Sequence, residues 1–581
     1  MERRVLLAIS LSFLVLFLYQ SYFAPAPTPA NRTPAAQAAG GAVEPAAPAQ
    51  ASGAGTPAAS PSSGPATAAP DAPAVVGEPV VGDTEERDIV VDTAYVHAVF
   101  TNRGARLRHW VLKNYKNERG EPMDLIPEDL PAGVPSPFSL RLEDAAATAR
   151  LNESLYRLTS PASTTLDGTT RPVTLTFEME SADGLAATKT FAMEPDSYLV
   201  TFSVSVTEGG RALNPTVEWG PGLGDDIART PPSSFFSPNY SYPGQAIYYT
   251  DGSVERVRAQ SMEGGKSVDA AFEFAGVDDH YFISAVVKPE GTLHLDYAPV
   301  SIPSSANPTV VGHYMSYGVR FPAAPQGVRY FFGPKQFDAL QAVDPNFTRA
   351  IYFGIFSWLA APLLNALKWV HGYIGNYGWS IIVLTIFINI AMFPLRHKSV
   401  VSMRRMQALQ PQLKAIQDRY AKYKVTDPEK QKMNSEVMDL YKAKGVNPAS
   451  GCLPMLLTMP FLFAFYSMLS QAIELRGADF GGWITDLSGH DPLFITPLMM
   501  GATMFWQQRI TPSGADPTQQ KMMMIMPFMF TFMFLWAPSG LVIYWLVSNL
   551  FAIGQQYFTS YVMEKSAEHH AHAHPVAKKK S

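Results

Sequence analysis

Cysteine is all but absent: Cys452 stands alone among 581 residues. A single thiol closes no intrachain disulfide, which excludes a bridge-stapled scaffold, and it supplies no paired-cysteine zinc site. Charge is scarce too. Asp, Glu, Lys and Arg make up 16% of the chain, against roughly 25% in a soluble protein. The net charge is only −5, so the chain as a whole carries no footprint for nucleic acid and no direct nucleic-acid specificity is expected. From 24 to 82 there are no aromatic residues and only four charges, Arg32, Glu44, Asp71 and Glu78. That stretch cannot bury enough apolar surface to offset its ordering entropy. What is present is 47% hydrophobic residues, unevenly placed. About a third of the chain is apolar and membrane-like, so one compact globule is excluded.

Residues 1–23, MERRVLLAISLSFLVLFLYQSYF, place two arginines before an apolar run long enough to cross a bilayer. A cleaved signal peptide is the rival reading. Prolines follow the small residues that a cleavage site would use, which favours an uncleaved signal-anchor span with Arg3 and Arg4 in the cytoplasm. The Ala/Pro-rich segment 24–82 reads as an extended linker.

Residues 83–346 read as an all-β domain. Val173, Leu175, Phe177 and Met179 alternate with Thr and Glu; Tyr198, Val200, Phe202, Val204 and Val206 alternate mostly with Thr and Ser. Period two gives one buried and one wet face. A domain of this size built so is expected to be a large sandwich of antiparallel sheets.

Residues 347–562 form the membrane part, with spans expected at 377–395, 452–472, 493–508, 521–537 and 540–561. With the anchor that makes six. The stretch 351–370 is apolar but carries Pro362, Asn365 and Lys368. The loop 396–448 holds 12 Lys/Arg against 5 Asp/Glu. A seventh span before it would send those cations outward, against the positive-inside rule. The segment 347–376 is therefore read as an amphipathic helix lying in the interface. The loop 474–492, with one basic and four acidic residues, fits the opposite side. The basic loop 396–448 reads as a helical hairpin. Thr426 and Glu429 suit a capping box around Pro428, and Gly445 suits a helix stop. Residues 563–581 form a basic cytoplasmic tail.

No enzyme motif stands out. MEGGKS at 262–267 lacks the first glycine of a phosphate loop, and no nucleophile elbow is present. Scattered Asp, Glu and His residues of the β domain read as solvated surface. His569, His570, His572 and His574 on a tail without fixed supports make a poor metal site. No cofactor or metal is expected. The membrane region is more telling, because polar residues in lipid are costly and face protein or water. Thr385 and Asn389 lie four apart on one helix face, with Arg396 two turns further on nearly the same face. The last span carries Trp545, Ser548, Asn549, Gln555 and Gln556, and span 452–472 offers Thr458. Interhelical hydrogen bonding explains each alone; together, above a basic loop, they favour a shared wet cavity. The methionines of KMMMIMPFMFTFMF at 521–534 suit either varied apolar partners or ordinary packing.

YKAKGVNPASGCLPMLLTMPFLFAFYSML at 441–469 resembles the YidC family of membrane-protein insertases. So do MFPLRHKSVVSMRRMQALQP at 392–411, DPTQQKMMMIMP at 516–527 and FLWAPSGLVIYWLVSN at 534–549. The β domain adds FTNRGARLRHWVLKNY at 100–115, WGPGLG at 219–224 and YFFGPKQFDAL at 330–340. The resemblance implies an α-helical polytopic membrane protein of six spans, with a five-helix insertase core at 377–562 and an all-β supersandwich domain in the periplasm. That core is implied to surround a hydrophilic groove, open to lipid and cytoplasm, that uses no nucleotide. Implied partners are nascent membrane proteins, the Sec translocon, and ribosomes and targeting factors at the basic hairpin and tail. The family's groove arginine falls at Asn389 here, five residues before Pro394-Leu395. The family threonine one turn earlier is Thr385, and a partner aromatic position on the last span is Trp545. Arg396 is expected to reach up the same face and replace the missing charge in part; a neutral, hydrated groove is the alternative. Thr385, Asn389, Thr458 and Trp545 are expected to line the path. A membrane-anchored carbohydrate-active enzyme is the runner-up function, which a carboxylate or His cluster in a cleft of 83–346 would support.

Overall fold

The computed structural model describes residues 79–117, 120–126, 134–161, 163–220, 223, 244–262, 264–303, 311–423, 427–445, 453–511 and 523–573. The expected anchor, the linker as far as 78, Thr426, Cys452, His574 and the rest of the tail lie outside these residues.

Alternation builds the β domain. Val173–Ser181 buries Val173, Leu175, Phe177 and Met179, and Leu199–Glu208 buries Val200, Phe202, Val204 and Val206. Between them Leu185–Met193 runs antiparallel to both, which sets Phe191 opposite Leu175 on one side and Phe202 on the other. These strands belong to an eleven-stranded sheet, and two five-stranded sheets pack on it. Trp110, from one small sheet, donates its indole N–H to the Phe332 carbonyl of the large sheet at 2.8 Å. Trp219, from the other, stacks on the Phe332 ring at 3.9 Å. Phe138 meets Phe191, Phe202, Tyr330 and Phe332. Each such ring contributes about 1.5–3 kcal/mol by burial, which holds the domain without bridges.

Charged groups are also built into this core. Lys189 is fully buried and its ammonium donates to the carbonyls of Gly104 at 2.6 Å and Phe138 at 2.8 Å. Asp278 and Lys335, both buried, pair at 3.0 Å. On the outer face of one five-stranded sheet, His294 bridges Asp269 at 2.8 Å and Asp296 at 3.0 Å. The Asp269 hydrogen bond is the main reason the imidazole titrates above its ordinary value. A raised folded pKa means the contribution is complete below the unfolded value, about 6.5, and is lost as pH rises through the folded value. The stability difference between wild type and His294→Gln in urea is therefore expected to be largest below about pH 6 and to vanish at alkaline pH. It is small throughout because the site is exposed.

Ten helices stand among the described residues: α1 Ala145–Glu153, α2 Phe337–Val343, α3 Ser357–Ile374, α4 Tyr377–Ala408, α5 Gln410–Arg419, α6 Pro428–Ala443, α7 Leu453–Gln471, α8 Ile495–Ile510, α9 Met526–Met533 and α10 Ser539–Ala573. By length and composition α4 is able to cross a membrane, and Met526–Trp536 is a shorter apolar stretch. α4 does not stop at 395. It carries through Arg396 to Ala408, and the chain restarts at Gln410 with Pro411 in the first turn of α5. The cap of α6 also differs from the expected box. Asp427 itself accepts from the Glu429 N–H, with Pro428 opening the helix and Gly445 left-handed beyond its end.

The two parts of the chain are clamped together. The turn 278–281 of the β domain meets the end of α7, where His280 Nε2 hydrogen-bonds the Ser470 carbonyl at 2.7 Å. Arg476, between α7 and α8, lies over the rings of Tyr281 and Phe282 and donates to the Lys116 carbonyl. Lys368 of α3, whose charge argued against a span, pairs with Asp338 of α2. α3 packs on α4 and α7 through Leu363, Leu364 and Leu367 and leaves Trp358, Trp369 and Tyr373 exposed.

Candidate functional site

α4 and α10 lie side by side, and their seam concentrates the polar residues of the helical part. Thr385 and Asn389 are buried, at 0% and 3% exposure. The Thr385 hydroxyl donates to the Ile381 carbonyl of its own helix at 2.6 Å. Asn389 Nδ2 donates to the Thr385 carbonyl at 2.8 Å and approaches Ser548 Oγ of α10 at 3.5 Å. Its Oδ1 accepts from Arg396 Nη1 at 2.6 Å. The amide's orientation follows, because its nitrogen faces a carbonyl and its oxygen faces a cation. Side chains on a helix lean toward its N-terminus. That lean lets Arg396, rooted about 10 Å further along α4, reach back into the seam. Arg396 is half-buried, and its guanidinium meets the polar column at Asn389.

The remaining expected residues part company. Trp545 packs on Phe530 and Phe534 at 6.0 and 5.0 Å. Its neighbour Tyr544 is the aromatic on the Arg396 side, stacked on Phe465 of α7 at 4.6 Å. Adjacent aromatics on one helix differ by about 100° of rotation, and the sequence holds no signal that chooses between them. Thr458 lies on α7, with its side chain outside the described ones. Asn549 serves packing, donating to Thr503 Oγ1 of α8 at 3.3 Å. Gln555 donates to the Phe393 carbonyl of α4 at 3.1 Å. Phe528, Met529 and Phe532 of the methionine-rich stretch are exposed, as lipid-facing or partner-facing residues would be.

One end of the seam is closed. In the segment 472–491, Asp491 accepts from the Thr496 amide and hydroxyl at 2.7 and 2.8 Å and from the Trp483 indole at 3.0 Å. The Ser539 amide and hydroxyl, at the start of α10, donate to the Gly489 carbonyl. Phe480 sits so close to Gly378 of α4 that a Cβ there would lie 2.0 Å from its ring. α8 and α9 are pressed together likewise, since a Cβ on Gly501 would lie 1.9 Å from Thr531 Oγ1. Gly501→Ala is expected to cost about 1–3 kcal/mol in thermal unfolding of the detergent-solubilised chain. Adding Thr531→Ala should recover part of that; no recovery would show that the contact is not the cause.

The β domain offers less. A surface pocket of about 320 Å³ is lined by Phe272, Glu273, Lys288 and Gly291, and Lys288 is engaged with Asp344. The network around His294 lies on an open sheet face rather than in a cleft. No group of three or more metal ligands occurs among the described residues.

Comparison with known proteins agrees along the chain. Residues 88–366 match the family described as the YidC periplasmic domain, and residues 369–566 match the 60Kd inner membrane protein family. The membrane protein insertase YidC of Syntrophus aciditrophicus is 36% identical over 96% of this chain and 99% of its own length. That of Geobacter metallireducens is 34% identical over 96% of this chain and 98% of its own. A crystal structure of an active YidC insertase with its first transmembrane domain resolved covers 84% of this chain and 95% of that one, at 18% identity and a TM-score of 0.33. With homology of this depth over both parts, the chain belongs to the YidC family of membrane protein insertases.

Proposed function

We propose that the insertase works through the α4–α10 seam, without nucleotide hydrolysis and alone or with the Sec translocon. The observation that carries this reading is the continuous polar column Thr385–Asn389–Arg396, joined to Ser548, along the α4–α10 seam. A client's short polar segment must cross a hydrocarbon core about 30 Å thick, where a charge costs roughly 2.5–3.5 kcal/mol at the centre on insertion scales. A site that accepts hydrogen bonds and holds a cation partway shortens the dry path. The client's apolar helix then partitions into lipid, which supplies the driving force.

In this reading the chain has six spans, the anchor included, with both termini and the α5–α6 hairpin in the cytoplasm. Ribosomes and targeting factors dock on the basic hairpin and tail. α3 lies in the outer interface, with Trp358, Trp369 and Tyr373 at headgroup depth. Arg396 serves as the seam's charge in place of an arginine at 389, and Tyr544 joins Thr385, Asn389 and Thr458 along the path, with Trp545 behind it.

The test is insertion of a short two-span reporter into proteoliposomes containing only this protein. Protease-protected reporter without nucleotide is expected. Absence of insertion by folded protein would refute autonomous function and leave only a Sec-dependent role.

A further inference from the structure

Beyond Asn389, the α4–α10 seam continues toward the hairpin and changes character. From 386 to 417 the chain has no Asp or Glu but carries Arg396, Lys398, Arg404, Arg405 and Lys414, and α10 has none from 539 to 563. Side chains of α4 are held across the seam by neutral oxygens. Arg404 donates to Ser560 Oγ, and His397 Nδ1 lies 3.0 Å from Thr559 Oγ1. Among the described residues neither arginine, 396 or 404, makes an ion pair. An arginine has five donors in a planar fork, so Arg404 is tethered by one hydroxyl with donors left over for an anion.

Apolar surface lies directly beside it. His397 stacks on Phe393 at 6.0 Å, and Phe393 meets Phe558 at 5.8 Å. Tyr557, Phe558 and Tyr561 are 52%, 53% and 63% exposed, so half of each ring has no protein cover. Tyrosines of this kind sit where a bilayer's hydrocarbon meets its headgroups.

We propose that this end of the seam binds an anionic glycerophospholipid, its phosphate on Arg404 beside Ser560 and an acyl chain along Phe393 and Phe558. Basic pockets between spanning helices recognise such headgroups. An acidic peptide would satisfy Arg404 but has no use for uncovered rings, whereas a molecule with an anionic head and an apolar tail answers both. The inference rests on α4 and α10 spanning the bilayer.

The purified full chain, delipidated in neutral detergent, would be offered equal phosphatidylglycerol and phosphatidylcholine and read by native mass spectrometry. Wild type is expected to retain phosphatidylglycerol about fivefold over phosphatidylcholine. Arg404→Gln should abolish the preference and Arg404→Lys should keep part of it. Arg405→Gln, whose side chain is exposed, should keep it, and Glu564→Gln should keep or strengthen it. Ser560→Ala leaves the charge but frees the guanidinium, and should weaken retention if Arg404→Gln proves misfolded. Equal retention by wild type and both seam variants would overturn the proposal. So would displacement of the lipid by a soluble acidic peptide in an Arg404-dependent way, which would make this a client site. Flotation of the protein with liposomes separates these outcomes from failure of the spanning reading, in which the chain would not float.

Discussion

Replacing Lys189 by Ala is expected to destabilise the β domain by about 3–5 kcal/mol, as cavity formation and orphaned carbonyls act together. The lysine crosses the sandwich so that its Nζ meets the carbonyls of Gly104, Ala105 and Phe138 at 2.6, 3.4 and 2.8 Å. Two of these belong to a left-handed pair, Gly104 at φ +67° and Ala105 at φ +45°. A Cβ on Gly104 would lie 2.5 Å from the Asn152 carbonyl, so only glycine fits. Lys189→Met keeps most of the volume and leaves the carbonyls unpaired, so an intermediate loss of about 2–3 kcal/mol is expected. Burial also holds the ammonium well below the usual lysine range. Between that lowered value and about 10.4 the unfolded chain binds the extra proton, so stability contributed by Lys189 rises with pH across that window. Urea unfolding of the full chain, followed by tryptophan fluorescence, should show wild type gaining on Lys189→Met as pH is raised from neutral toward 10. A difference that stays flat would mean that the carbonyls of Gly104, Ala105 and Phe138 offset the burial and leave the ammonium its ordinary pKa.

That cage explains why some of the sequence was legible and some was not. Strands such as Val173–Ser181 and Leu199–Glu208 follow from alternation, because one face of each is buried and the other wet. The apolar helices α4 and α7 follow from apolar runs, and α6 from Pro428 and Gly445. The Asn102–Arg106 stretch, by contrast, stands out only as a family-like string. Its reason is a lysine 84 or more residues away in the chain, and no local pattern reports a contact of that range. The clamp of His280 and Arg476 between the β domain and the helices is hidden for the same cause. At the seam, the face shared by Thr385, Asn389 and Arg396 is readable because helical spacing fixes it. α10 packs chiefly on α4 and α8, and of its two adjacent aromatics Tyr544 stacks on Phe465 while Trp545, the one the family resemblance put forward, packs on Phe534; helical spacing alone does not choose between them.

Removing the seam's cation should produce the largest functional effect. Arg396→Ala is expected to lower insertion of reporters with acidic tails by about tenfold, the equivalent of one charge-assisted hydrogen bond of roughly 1.4 kcal/mol, while reporters with neutral tails change little. The reasoning is geometric. On the proposed path Asn389 stands where a groove cation would act, and its Oδ1 accepts a hydrogen bond from the Arg396 guanidinium at 2.6 Å. The charge is thus delivered to nearly the same depth from a root two turns further along α4. A carboxylate approaching the seam competes with a neutral amide oxygen for those donors, and a charged acceptor forms the stronger bond. Under the proposed function Asn389 would be a docking post that holds Arg396 inward until a client takes it. Asn389→Leu should therefore weaken acidic-tail insertion as well, because a guanidinium without that post snorkels back toward water. Asn389→Arg added to Arg396→Ala should restore acidic-tail insertion, since it places the charge on the same face without the relay. Proteoliposome insertion of paired acidic and neutral reporters reads all three variants against wild type. If Arg396→Ala slowed both reporters equally, the residue would be structural. If it slowed neither, the seam would operate as a neutral, hydrogen-bonding path, with Asn389 and Ser548 as its polar groups.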